Sequence, residues 1–456
     1  MSESLEISRR KLLEMAAAVT AGTRSSFGQA LSGQEFGVPA ENVTVLRGKN
    51  PKGGSWPEVV AAALAQPLGR PRLREHNLRR KRVVVITDDW GRPTPASEVI
   101  PALLDELHAA GAEDQAITFI TASGMHDPMK PADLDRKLGK DITQRFRCIS
   151  HNGGDQSMLV FAGISELGTP VWVSRYVAEA DFKVALGRIA LHETYGYEGG
   201  YKMIVPGVSS YETILRDHSM NFSRHCVPGV HANPSRREAD AIGPMIGIDF
   251  LVNVVVNSRS EPVRAFAGKV EQVHPAGVRF GDQEIWGAFT PWRGDVTVVT
   301  LGPEESLRDV PNTETMRRAA AVTRDKGTII FEANVEKVYQ PMIGNETADE
   351  ETLNSKDVAS FNAMLPRLSL SELMFIHEKR DWKLDRRTIQ HRVKAVRGAF
   401  YRLRALMEAQ KCQLLLSPDP ARTLKEATRE LPAGQFKLNV IVGRATLPKI
   451  RGQAVS

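Results

Sequence analysis

The chain has 456 residues, 42% of them hydrophobic and 25% charged, which is apolar material enough for two or three separately cored domains of an ordinary globular protein. Its 60 Lys and Arg are interleaved with 54 Asp and Glu, so the formal charge of +6 is not gathered into a patch; this argues against a nucleic-acid partner and leaves small anions as ligands. Cys148, Cys226 and Cys412 are scattered and lack CxxC spacing, giving no sign of a disulfide framework or a zinc site, and no apolar run of about 18 residues marks a membrane-spanning helix.

In chain order, the first segment with meaning is Ser8-Arg9-Arg10-Lys11-Leu12-Leu13, followed after Glu14 by MAAAVTAG. It resembles a twin-arginine export signal ending near Gly28-Gln29-Ala30, which would place the protein in the periplasm. Read instead as a frayed amphipathic helix, the same stretch leaves it in the cytoplasm. Residues 1–32 are therefore set apart from the fold.

Short Val- and Ile-rich runs alternating with helix-like stretches then predict an α/β chain of two domains with largely parallel sheets and an active site in the crevice between the domains. The expected strands are Arg82 to Thr87, Ala116 to Thr121, Phe182 to Leu186 and Phe250 to Val256, then Val296 to Thr300, Thr328 to Phe331, Cys412 to Leu416 and Leu438 to Val442. The Pro- and Gly-bearing stretch from Arg259 to Pro291 reads as a change of domain. The expected division is residues 33–290 for the first domain and 291–415 for the second, with 416–456 returning to the first.

The loops after the first three strands carry the chemistry. Ligands collect beyond the carboxyl ends of strands in open α/β sheets, where exposed loops are held by a rigid sheet. Those loops read DDWGRP (residues 88–93), GMH (residues 124–126) and LHETYGYEGGYKMIVPG (residues 191–207). Gly196, Gly199 and Gly200 rule out a helix for the last of these and let the backbone approach a ligand closely. His126, His192 and His218 stand in polar contexts, with Lys202 between two of them. Such a lysine is able to bond covalently to a cofactor or a substrate, and such imidazoles to nickel or zinc. Taken one at a time, His126 is equally a hydrogen-bonded structural residue, and Asp88 and Asp89 before Arg92 a turn with a local ion pair.

Together the segments GRIALHETYGYEGGYKMIVPGVSS, DDWGRPTP, SGMHDPM, NPSRREADAIGPMIGIDFLVNVVVN and AFAGKVEQVHPAGV resemble the nickel-pincer nucleotide-dependent lactate racemase family, over a span from about Phe36 to the C-terminus. The resemblance implies a pyridinium mononucleotide with two sulfur arms, tethered to Lys202, holding nickel with His218 as the protein ligand. It implies a racemase or epimerase of a 2-hydroxy acid, working by reversible hydride transfer from C2, with His126 and His192 as acid/bases and Arg92 clamping the substrate carboxylate. Gly200 and Tyr201 are read as cofactor-binding, with Tyr195 and Tyr197 beside Tyr201 as a wall against water. Asp89 is read as cofactor-binding too, and either orients one of these groups or caps its loop. Partners are the small 2-hydroxy acid and the cofactor-synthesis enzymes.

The resemblance breaks in TLGPEESLRDVPNTETMRRAAAVTRDKGTII, where the family's second-domain double glycine is absent and no lysine stands between Leu301 and Arg324. Arg308, Arg317 and Arg318 are the cations left there. A changed clamp implies a substrate other than lactate: a larger or more polar 2-hydroxy acid, or a sugar acid epimerised at C2. Two other readings of the residues remain: a metal-free lyase or aldolase using Lys202 as a Schiff base, and a non-catalytic small-molecule-binding homologue. Residues 365–404, with His377, Trp382, His391 and Tyr401, read as solvated helices.

Overall fold

Runs of β-branched residues form strands because their stiff side chains suit a pleated surface, and a run buried at every position belongs inside a sheet covered on both faces. A computed structural model describes residues 38–300 apart from 93, 193, 220–225, 227 and 232, residues 313–332, and residues 412–451 apart from 418–419, 430, 432–435 and 444–445. The export segment at 1–32, Arg308 and the stretch 365–404 lie outside the described residues, as does the side chain of Arg317. All eight expected strands are present. The chain divides into two compact units, residues 49–287 forming one, and residues 38–48 with 288–451 the other.

The second of these units begins with β1 (Val43–Arg47). The chain then builds the unit 49–287 from β2 (Val83–Asp88), β3 (Ile117–Ala122), β4 (Arg147–Ser150), the antiparallel pair β5 (Leu159–Ile164) and β6 (Pro170–Ser174), β7 (Phe182–Ile189), the short pair β8 (Leu191–His192) and β9 (Gly196–Tyr197), β10 (Phe250–Val256) and β11 (Pro262–Gly268). Its main sheet runs β11-β10-β7-β2-β3-β4, parallel except for the edge strand β11. From β2 the chain moves outward through β3 to β4, then returns to lay β7 on the other side of β2. The order therefore reverses between β2 and β7, the place where the loops at the carboxyl ends diverge and a ligand crevice opens.

Both faces of this sheet are covered. Helix Trp56–Ala65 starts at Ser55, whose side chain accepts from the Glu58 amide, and helix Ala96–Ala109 buries Val99, Ile100, Leu103 and Leu107 along one stripe. These pack with Phe119, Val184, Leu186 and Phe250, each large apolar side chain contributing about 1.5–3 kcal/mol by its burial.

The other unit adds β12 (Gly287–Thr290), β13 (Gly294–Thr300), β14 (Thr323–Glu332), β15 (Gln413–Ser417), β16 (Leu438–Val442) and β17 (Leu447–Ile450). Its five-stranded sheet runs β1-β16-β13-β14-β15 and is parallel throughout. Val298, Ile330, Leu424 and Val440 form the core on one face, and Leu46, Val299, Ile329 and Ile441 on the other.

Two expectations need correction. Residues 43–47 belong to this second unit because their backbone pairs with 438–442, Val45 opposite Val440. Residues 416–451 stay with the second unit for the same reason and do not return to the first. The change of domain expected between Arg259 and Pro291 does fall in that stretch, between Gly287 and Ala288, after β11 and helix Val270–Glu284 of the first unit. Pro262 stands at the start of an edge strand, where its missing N–H is tolerated. Among the described residues no helix is long and apolar enough to cross a membrane.

Candidate active site

At the carboxyl end of β2 the chain meets a buried anchor. Lys137, on helix Pro131–Leu138, makes a 2.7 Å ion pair with Asp88 and also donates to the carbonyls of Arg92 and Thr94. Thr94 donates to Asp88 at 2.6 Å, so the loop 89–94 is held at both ends. Burial pushes the Asp88 carboxyl up, and Lys137 pulls it back down.

That loop presents Asp89 to the loop after β3. Asp89 is buried, and its Oδ2 lies 2.5 Å from Nδ1 of the half-exposed His126, while its Oδ1 accepts the Gly91 amide at 3.2 Å. It both orients the histidine and caps its own turn. A carboxylate at Nδ1 keeps the proton there and leaves the lone pair on Nε2.

Arg92 turns the other way, its Nε 2.9 Å from Oε1 of Glu198, whose Oε2 accepts from Arg188 Nε at 2.6 Å. Burial alone would raise the Glu198 carboxyl, but Arg188, Arg92 and Lys202 together hold it below its ordinary value. One buried acid thus joins the loop after β2 to the strand β7 and to the glycine-rich turn that follows.

That turn is shaped by close packing. Gly199 and Gly200 have φ of 84° and 65°, in the left-handed region, and a Cβ would lie 2.6 Å from Asn253 Oδ1 at the first and 2.9 Å from the His274 ring at the second. Arg236, fully buried on helix Pro234–Ile246, donates to the carbonyls of Tyr195 (3.4 Å), Gly199 (3.1 Å) and Tyr197. Arg236→Met would leave these carbonyls without their charged donor, each buried unsatisfied group costing about 1–3 kcal/mol. Hydrogen exchange of the amides at 195–200 should then speed up sharply, and unchanged protection would show that the turn is held by other means.

Tyr195 is the hub of the cluster. Its buried ring meets His192 at 5.4 Å and His218 at 6.0 Å between centroids, and Lys202 Nζ sits 5.0 Å from its centre. Its hydroxyl donates to Asp217, which neighbours His218 in helix Tyr211–Ser219. Burial pushes the Asp217 carboxyl up to about 7, against the lowering pull of Tyr195, Arg236 and Lys202. His192 Nδ1 accepts the backbone N–H of Thr194 at 3.1 Å and of Tyr195 at 3.3 Å, so the neutral ring carries its proton on Nε2.

Of the residues expected here, His192, Lys202 and His218 are thus gathered on one aromatic ring, with His126, Asp89 and Arg92 on loops of the same unit. The other tyrosines of the motif have partners of their own. Tyr201 donates to Glu271 at 2.6 Å and packs its ring on Gly243, and burial raises its phenol above the ordinary value. Tyr197 donates to Asp282 at 2.9 Å. Both are held by these bonds, while Tyr195 borders Lys202. Gly200 is buried, its amide bonded to Asn253 Oδ1 at 3.0 Å. Arg318 is buried in helix Thr313–Ala321. Sequence reasoning missed Glu198, Asp217, Arg236 and Lys137; the only signal was position, Glu198 inside the glycine-rich motif and Asp217 directly before His218.

Residues 30–227 match the family of the lactate racemase N-terminal domain. The chain is 28% identical over 309 residues to the lactate racemase of Thermoanaerobacterium thermosaccharolyticum, covering 65% of this chain and 71% of that protein. It is 28% identical over 280 residues to the lactate racemase of Lactiplantibacillus plantarum, covering 60% of this chain and 65% of that protein. Its fold is similar to the structure of the lactate racemase apoprotein from Thermoanaerobacterium thermosaccharolyticum, with a TM-score of 0.69 and 23% identity over 91% of this chain and 96% of that one.

Proposed function

The chain belongs to the lactate racemase family, and from that premise we propose that it is a racemase or epimerase of a 2-hydroxy acid that uses a nickel-pincer nucleotide bonded to Lys202. The observation that carries the proposal is the gathering of Lys202, His192 and His218 on Tyr195, with Arg92 joined to the same turn through Glu198.

The residues fit such a group. An amine and an imidazole both lie against one buried ring, and the glycine-rich turn leaves no room for side chains at 199 and 200. Among the described residues no three His, Cys, Asp or Glu side chains form a metal site by themselves, so a metal at His218 would take its other ligands from the bound group. When bound, the nucleotide supplies the acceptor for the hydrogen that leaves C2 as hydride.

The chain's own residues do the rest. Arg92 has Nε committed to Glu198 and Nη1 at 3.4 Å from the Gly91 carbonyl, and the outer edge of its planar guanidinium would meet the substrate carboxylate. His126, its Nδ1–H fixed by Asp89, takes the hydroxyl proton on Nε2 as C2 becomes planar. His192 serves the same oxygen from its Nε2–H and is the second acid/base. Lys137 and Arg236 act at a distance by fixing the two loops. The substrate is a 2-hydroxy acid larger or more polar than lactate, or a sugar acid.

The test uses a panel of C2-deuterated hydroxy acids and protein matured with the cofactor-synthesis enzymes. Product of inverted configuration that keeps its deuterium is expected. Loss of the label to solvent would mean abstraction of C2 as a proton, and the proposal would fail.

A further inference from the structure

His218 follows directly on a carboxylate that solvent cannot reach. Asp217 is fully buried, and its Oδ2 lies 3.0 Å from His218 Nδ1. The same oxygen accepts the hydroxyl hydrogen of Tyr195, and that hydroxyl is itself 3.4 Å from His218 Nδ1. Among the described residues, Oδ1 of Asp217 has no hydrogen-bond partner, so the acid's bonds are concentrated on the oxygen that faces the imidazole. Adjacent residues of a helix do not face one another, so helix formation by itself gives no reason for this contact. It is a tertiary arrangement, with Tyr195 reaching across from the glycine-rich turn to hold the acid.

An imidazole whose Nδ1–H is given to a carboxylate keeps one lone pair, on Nε2, and is a more basic ligand because the carboxylate shares the positive charge that builds on the ring. Resting on the function proposed above, we propose that Asp217, held by the Tyr195 hydroxyl, is the positioning residue that fixes the His218 tautomer and offers Nε2 to nickel. The arrangement consumes no proton or electron.

The test compares wild-type, Asp217→Asn and Tyr195→Phe chains matured with the cofactor-synthesis enzymes. Intact mass reads the tether at Lys202, and metal analysis during dialysis against a chelator reads nickel. An asparagine amide is able to accept from Nδ1–H or to donate to Nδ1, so it no longer selects a tautomer. Asp217→Asn is expected to keep the covalent mass gain while releasing nickel about 10–100-fold more readily, the usual effect of losing such a partner. Tyr195→Phe, which keeps the charge and frees its orientation, should shift release in the same direction by less, and it decides the matter if Asp217→Asn does not fold. Folded variants that carry the mass gain and hold nickel as long as the wild type would overturn the inference. A wild-type chain that acquires neither mass nor nickel would overturn it together with the function it rests on.

Discussion

His126→Asn is expected to lower turnover by about 10²–10⁴-fold, the usual contribution of a positioned general base. Asparagine keeps a polar group at the loop after β3 but has no nitrogen able to take up a proton near neutral pH. The 2.5 Å contact with Asp89 makes the prediction specific, because it assigns the accepting lone pair to Nε2. Asp89→Asn should therefore fall between wild type and His126→Asn: the imidazole remains, but its tautomer is no longer selected. Initial rates by chiral chromatography on matured protein check both, with the intact mass confirming that the nucleotide is still attached. If His126→Asn kept more than about a tenth of the wild-type rate, far short of a general base's usual share, the role given to His126 would be wrong.

The second large effect is all-or-none. Lys202→Ala is expected to show no covalent mass gain after maturation and no turnover above background, even though Tyr195, His192 and His218 are left in place around the missing amine. Lys202→Arg is the sharper form of the test, since it keeps the cation beside the Tyr195 ring and changes only its nucleophilicity. A metal-free Schiff-base enzyme would also lose activity on losing Lys202. It would show no mass gain in the wild type, however, and borohydride would trap substrate on the lysine. A mass gain that survives Lys202→Ala would place the tether elsewhere and remove the centre of the proposed site.

The central sheet was legible because its strands are dominated by apolar residues, as in VVVITD at Val83–Asp88 and FLVNVVV at Phe250–Val256, both buried at every position, and burial on both faces leaves no other use for such runs. The loops were legible for a related reason: histidine, lysine and paired glycines have little to do in a core. β1 was not, since VTVLR at Val43–Arg47 reads as a short edge strand and only its pairing with Leu438–Val442 tells which sheet it joins. Register between strands so far apart in the chain leaves no local trace. Glu198, Asp217 and Arg236 escaped for another reason. An acidic or basic residue in a sequence reads first as surface, and these three are buried because partners from other segments neutralise or satisfy them. The tyrosines show the converse: three in one motif promised one shared task, and the packing gave each a different hydrogen-bond partner.

The parallel pairing of β1 with β16 has a bearing on how the polypeptide is made. A ribosome releases Val43–Arg47 long before Leu438–Val442, so the earlier strand waits for its neighbour while everything between them is made. Residues 49–287, by contrast, can assemble their sheet while translation continues, from partners that have all emerged.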